Sequence, residues 1–520
     1  MKRRHHWWTR LFLAAGIVLA SGCGGAADRA RQDPGPPDPS ATLRVGWTQG
    51  LTSIDPHMAQ SEILTFRYGL ASVYDRLFTV DARGEVKGML VKDWAYGKGG
   101  RTLTLKLRED VTFRDGTPLD AAAVKTSLDR ARTLDSPVVK KRMAVVSRVD
   151  VVKDYEVALT LERPSATVPN ILSEVSGFIL HPDLIKNGDP SKKAEGSGAY
   201  RIVKWLPGER IVLERDRDDY WDEKAARVER IEHRTVSDFQ AFSNALAGGQ
   251  IDLGSLLPHN VLGLEGRGGL KTVRVEHGTG MQILFNRNSG ALKDLDVRRA
   301  VNYAYDRKAI TDAIFPGSVP AYQHTRSSLN GYDPGLEGSY ERDLGKARKL
   351  LAEAGHPEGV DLGKMLVPAS NPPGLGDVIQ EQLGEAGIKV TPVLVDYAEA
   401  VTQFAGGKVP LLLHYVQTGT DFGAGVSARW YPPQMNPAGT TPEFDRMYAA
   451  ASDSRLSAEE RDERYRKLNR FLVEQAWSAP VAWINYPWVM SEKVLNFNED
   501  MDYSTTFGPY DLRYVAKAAE

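Results

Sequence analysis

Cysteine is almost absent: Cys23 is the one cysteine in 520 residues. A single thiol excludes an internal disulfide and any zinc site built from several cysteines, so stability must come from packing. An excess of one charge is also missing. The 66 Lys and Arg residues nearly balance 67 Asp and Glu residues, for a formal net charge of −1. That balance argues against the basic field of a nucleic-acid-binding surface, and no nucleic-acid partner is expected. Long apolar runs are lacking as well. The greasy stretch at residues 11–20 holds about ten residues, where a bilayer span needs roughly 20. Neither HExxH nor GxSxG occurs, and the histidines from His57 to His414 are scattered singly. A secreted hydrolase therefore has no local signature here, although a triad assembled only in space stays open. No internal repeat suggests a purely structural envelope protein. The expectation is a protein that is not an enzyme and uses no cofactor.

What is present begins with a three-part N-terminal segment. Lys2, Arg3, Arg4 and Arg10 form a basic head, residues 11–20 an apolar centre, and small residues lead to the cysteine. This is the layout of a secretory signal. Arg3-Arg4 could indicate twin-arginine export, but His5-His6-Trp7 lacks the apolar pattern expected after it, which favours general secretion. The order Leu19-Ala20-Ser21-Gly22-Cys23 resembles the bacterial lipobox, which implies a lipid on the Cys23 sulfur and cleavage just before it. Removing residues 1–22 takes four of the 66 basic groups and none of the 67 acidic ones, leaving the remainder near −5. GGAADRARQDPGPPDPSA, residues 24–41, is rich in Gly, Pro and Asp and reads as a flexible tether.

The body opens with Leu43, Val45 and Trp47 alternating with polar or small residues, a strand pattern that RTLTLKL at 101–107 repeats. In VTFRDGTPLDAAAVKTSLDRA, residues 111–131, Asp115-Gly116 marks a turn and Asp120 is placed to cap a helix. Val124, Leu128 and Ala131 then give that helix one apolar face. In SDFQAFSNALAGGQIDL, Ser237 is the expected cap of a helix whose buried side carries Phe239, Phe242 and Leu246, with Gly248-Gly249 as its stop. Asp296 is the expected cap of VRRAVNYAYDR, with Val297, Ala300, Val301 and Ala304 buried.

Several stretches, taken in order, resemble a known family. SIDPH, VYDRLF, GMLVKDW, GSGAYRIVKWLPGERIVLERDRDDYW, ALAGGQIDLGS, LFNRNSGALKDLDVRRAVNYAYDRKAI, ARKLLAEAGHP and VIQEQLGEAGIKV resemble the extracellular solute-binding proteins of peptide-type ABC importers, the dipeptide/oligopeptide/nickel-binding family 5. Each motif alone is weak and mostly fold-maintaining, while their shared order spans nearly all of the chain. The resemblance implies an α/β, two-lobed periplasmic-binding-protein-like fold with an extra subdomain around a central ligand cleft. Its implied divisions are a signal peptide at 1–22 and a lipid-anchored linker at 23–41. A discontinuous first lobe would comprise 42–82, 196–278 and 485–520, with an inserted subdomain at 83–195 and a second lobe at 279–484. Chain crossings near 278 and 484 would form the hinge.

The resemblance also implies a function: reversible capture of a peptide or peptide-like solute for ABC permease transmembrane subunits, by a monomer anchored to the extracytoplasmic face of the membrane. Peptide-binding members hold peptide backbone against extended segments. Here those correspond to Met58, Ala59, Gln60 and Ser61 in the first lobe and to residues 411–425 in the second. Oligopeptide binders carry a W-x-x-D pattern in the latter region, whose aspartate meets the peptide ammonium. Asp421-Phe422 matches its end, but Thr418 stands in the tryptophan's place, which weakens the case for an ordinary free peptide. Tyr415, Gln417, Trp430, Tyr431 and Trp483 are further cleft candidates, although core packing is the commoner fate of such aromatics. His414 is a weak candidate for touching a metal chelate. A nickel chelate, an oligosaccharide or another small solute remains an alternative cargo, and a sensor without a transport role an alternative use of the fold.

Overall fold

A computed structural model describes residues 35–58, 69–81, 85–136, 139–417, 421–497 and 511–519. The expected signal segment, Cys23 and most of the expected tether lie outside them. Among the described residues no helix is long and apolar enough to cross a membrane.

Among the described residues, eleven strands form one mixed sheet. From one edge, Ile388–Val395, Val360–Pro368 and Leu411–Gln417 run parallel, and Leu411–Gln417 pairs antiparallel with Leu270–Phe285. Leu270–Phe285 pairs antiparallel with Ser478–Ser491, which continues to Leu253–Ser255 and then to Thr42–Trp47. Arg230–Thr235, Arg210–Arg215 and Tyr200–Leu206 complete the far edge, and the short strand Val319–Pro320 pairs with Ser478–Ser491. In Thr42–Trp47 the alternating Leu43, Val45 and Trp47 are buried, as the pattern predicts.

Two strands in this sheet are unusually long. Leu270–Phe285 has 16 residues and Ser478–Ser491 has 14, where a typical strand has about 5–6. Their length serves two cores. Val275, Trp488 and Met490 pack into a core with Leu43, Val45 and Leu253. Met281, Ile283 and Phe285, with Ala482 and Ile484, pack into a second core against Val297, Ala300, Val301 and Ala304. Between the two cores the pairing breaks register, from Glu276 opposite Asn485 to Gly280 opposite Trp483. Gly280 is required there, because a Cβ would lie 2.8 Å from the Trp483 ring. The fold is thus two-lobed, with both lobes strung on one pair of strands.

A separate antiparallel sheet of Val91–Tyr96, Thr102–Leu107, Glu156–Leu161 and Val146–Lys153 carries the helix Ala121–Thr133. Asp120 caps that helix by accepting from the Ala123 amide, and Val124, Leu128 and Ala131 are buried. Two other expected caps are displaced. Asp238, not Ser237, caps Phe239–Ala247, and Phe239 points outward while Phe242 and Leu246 are buried. Asp294, not Asp296, caps Leu295–Ala304, accepting from the Asp296 amide. In each case the residue with extended backbone next to the first turn wins. Gly249, at φ +68°, supplies the left-handed residue after the former helix.

Two motifs of the first lobe and the C-terminal segment meet at one buried carboxylate. Asp75 of VYDRLF accepts from Ser197 Oγ at 2.8 Å, Tyr220 Oη at 2.6 Å, Trp221 Nε1 at 3.1 Å and Arg513 Nη1 at 2.7 Å. Arg513 also pairs with Asp511, and its side chain is fully buried. GSGAY, DDYW and the C-terminal segment are therefore tied to one point. In the second lobe, Arg298 donates to the carbonyls of Leu292, Lys293, Gln475 and Ala476. Arg307 donates to those of Asn302, Ala321, Tyr340 and Pro480. Both arginines hold helix ends against the strand Ser478–Ser491 and the turn before it.

Replacing Arg513 with Ala leaves Asp75 buried without its cation and Asp511 with only Arg76, 3.9 Å away. The expected loss is about 3–5 kcal/mol, read as a lower urea midpoint. An unchanged midpoint would mean that the cluster is solvated and dispensable.

Candidate functional site

The candidate residues in the two segments named from the sequence rest on two supports, one in each lobe. The first is SIDPH. Arg130, on the helix Ala121–Thr133, grips the Asp55 carboxylate with both terminal nitrogens, one at 2.9 Å. Asp55 in turn accepts from the His57 amide at 3.0 Å and so fixes the short turn Pro56–Met58. His57 is fully buried, with Nε2 3.2 Å from the Phe178 carbonyl. Burial, helped by the Arg130 charge, lowers its pKa to about 4. The ring is neutral at neutral pH and can donate Nε2–H to that carbonyl. Met58 ends this turn half-buried. Ala59, Gln60 and Ser61 lie outside the described residues.

The second support is Asp421. It caps the helix Phe422–Trp430 by accepting from the Ala424 amide at 2.8 Å. Its other oxygen accepts from Asn330 Nδ2 at 2.7 Å, and Asn330 Oδ1 accepts from the Phe422 amide at 2.7 Å. Asp421 is 8% exposed, so it is not the solvated acid of an open loop. The loop bearing Asn330 is itself held. Gly331 donates to Asp462 and accepts from Asn469, which also supports Gln323 and the His324 amide. Asn330 and Arg130, which brace these candidate segments, were missed by sequence reasoning. Asn330-Gly331 reads only as a turn pair, and Arg130 only as the polar side of a helix.

The remaining candidates separate by packing. Phe422 and Trp430 sit in a core with Val426, Phe444, Tyr448, Tyr465 and Trp477; Trp430 meets Trp477 edge-on at 5.3 Å. Tyr431, 44% exposed, lies against Phe444 and Tyr448 at 5.9 and 5.6 Å. Trp483 is buried over Gly280 at the register break. Tyr415 stands opposite Met281, beside that break, and its buried hydroxyl has no hydrogen-bond partner among the described residues. Gln417 pairs with Thr279 at the end of the same strand, and Thr418 lies outside the described residues. His414 is buried, its Nδ1 meeting the Tyr415 carbonyl and its ring 5.4 Å from that of Tyr397. Burial lowers its pKa to about 4. Among the described residues no group of three or more His, Cys, Asp or Glu could hold a metal ion.

Residues 85–436 match the family model of bacterial extracellular solute-binding proteins, family 5. The chain belongs to this family. Its members are substrate receptors of ABC importers that act outside the cytoplasm, not enzymes. Among its relatives, the glutathione-binding protein GsiB of Salmonella paratyphi A is 26% identical over 462 residues, covering 84% of this chain and 86% of the relative. Two solved structures share the fold. The DppA protein of Helicobacter pylori in complex with the peptide STSA has a TM-score of 0.77 at 21% identity, covering 92% of this chain and 98% of that one. NikA of Brucella suis in complex with Fe(III)-EDTA has a TM-score of 0.79 at 22% identity, covering 92% and 100%.

The Asn330–Asp421 pair makes a charge-swap test. Asp421→Asn alone sets two amide NH2 groups face to face, and the expected loss is about 1–3 kcal/mol. Adding Asn330→Asp restores all three bonds and should recover the unfolding midpoint. Failure of the double variant to recover would show that the loss does not come from the bonds of this pair.

Proposed function

We propose that this receptor captures a peptide or peptide-like solute between its lobes, beside the register break of the two long strands, and delivers it to an ABC permease. The observation that carries the reading is the Tyr415 hydroxyl, buried and without a hydrogen-bond partner among the described residues. A buried hydroxyl in that state costs free energy unless something completes it. It lies on the strand that leads through Gln417 to Asp421, the segment corresponding to one side of the peptide channel in the family. Met58, anchored through Asp55 and Arg130, begins the segment corresponding to the other side. A solute touching both lobes gains all its contacts only when they are closed, so binding shifts the population toward the closed form.

The relative named for glutathione and the neighbour holding a tetrapeptide favour short peptides or peptide derivatives over sugars. Asp421 retains lone pairs beyond the two bonds it accepts and is the proposed partner for a ligand ammonium. The strands on which the lobes are strung, through Gly280 and Trp483, are the proposed hinge. Cys23 is the proposed site of lipid attachment, with residues 24–41 as the tether.

Calorimetric titration of ligand-stripped protein with reduced glutathione and with a mixed dipeptide pool tests the reading. Binding by either is expected, and Tyr415→Phe should weaken it about 2–12-fold, the worth of one hydrogen bond. The same substitution should leave the empty protein as stable or slightly more stable, because an unsatisfied buried hydroxyl is removed. Unchanged affinity in Tyr415→Phe would take the hydroxyl out of the site. Absence of binding by both probes, with a nickel–histidine chelate binding instead, would overturn the peptide reading.

A further inference from the structure

Beyond the two long strands, the lobes are joined by a contact that involves no chain crossing. It links the four-stranded sheet of the inserted region to the helical part of the second lobe. On one side is the turn between Val91–Tyr96 and Thr102–Leu107, closed by Gly97 N–H donating to the Thr102 carbonyl at 2.8 Å. Beside it runs the segment after Glu156–Leu161, held by Tyr96 Oη donating to the Ser165 carbonyl at 2.7 Å. On the other side is the turn after the helix Pro442–Ala451, shaped by Asp453, which accepts from the Arg455 amide and Nε at 2.9 Å.

The two sides fit closely. Ser454 Oγ donates to the Gly100 carbonyl at 2.9 Å. The Ala166 amide donates to the Ser452 carbonyl, also at 2.9 Å. The Arg163 guanidinium lies 5.6 Å from the centre of the Tyr448 ring, within cation–π range. Gly100, at φ +69°, has no room for a side chain: a Cβ would lie 2.8 Å from Ser454 Oγ and 3.0 Å from Arg455 Cγ. The partners are separated by hundreds of residues, and their cores differ. Leu103 and Leu159 pack with the first lobe's core, while Phe444 and Tyr448 pack around Trp477.

We propose that this turn-to-turn contact is a latch that favours the arrangement of the lobes seen in this structure without touching the solute. Two hydrogen bonds and one cation–π contact are few enough to be released by water, so they bias the equilibrium rather than lock it. The inserted region thereby gains a role. Among its described residues it has no strand in the main sheet, and it reaches across to the second lobe.

Spin labels at Lys98→Cys and Glu459→Cys, both exposed positions on the two sides, report the spacing in the full-length chain. A Cys23→Ser background keeps the labels to those two sites. The protein with an intact latch should give one short, narrow distance distribution. Ser454→Trp, which wedges the turns apart, should shift and broaden it by several ångströms with the thermal midpoint unchanged. A Ser454→Trp distribution identical to the parent, or a parent already long and broad, would overturn the proposal. If Ser454→Trp lowers the midpoint, Ser454→Ala is read instead. A new long-distance population then supports the latch, and none refutes it. No ligand enters the measurement, so its outcome is independent of the cargo.

Discussion

The pairing of Leu270–Phe285 with Ser478–Ser491 is the constraint on which the rest of the structure depends. One strand pair supplies side chains to two cores, so neither lobe can reposition without bending that pair. The break from Glu276–Asn485 pairing to Gly280–Trp483 pairing is where the ladder is weakest. Gly280 lets the Trp483 ring lie against the backbone there, and Val319–Pro320 covers the far edge of Trp483 and Ala482. The proposed capture of a solute between the lobes would use this layout, since a ligand bridging them needs to bend only one short region.

Around that constraint each lobe is made stiff by buried charge rather than by covalent links. The first lobe gathers Ser197, Tyr220, Trp221 and Arg513 on Asp75. The second uses Arg298 and Arg307 as multi-carbonyl clamps. With one cysteine in the chain, such networks provide the long-range ties that disulfides provide elsewhere. Stiff lobes suit a receptor, because binding free energy then goes into closure and not into ordering each lobe.

Much of the architecture was legible in the sequence for physical reasons. Leu43, Val45 and Trp47, or Val124, Leu128 and Ala131, carry the period of the element that buries them. Asp120 was a readable cap because no rival stood beside it. Ser237 against Asp238, and Asp296 against Asp294, were not separable, since the choice depends on which residue has extended backbone at the first turn. The site was less legible. Asn330 and Asp421 are 91 positions apart, and no local pattern pairs them. Phe422 and Trp430 look the same in sequence whether they line a cleft or fill a core, and the helices bearing Phe444, Tyr448 and Tyr465 surround them. Asp75 was visible only as part of a family motif. Its role as a hub emerges when four distant segments converge.

The central claim, that the chain is a receptor for peptide-like solutes, is tested most directly by what the protein carries when isolated. Mass spectrometry of the small molecules released on denaturing the purified full-length chain would read this. The account predicts short peptides or a peptide derivative such as a γ-glutamyl tripeptide. A single sugar or a metal chelate in stoichiometric amount would contradict it, keeping the receptor but removing the peptide and the ammonium role of Asp421.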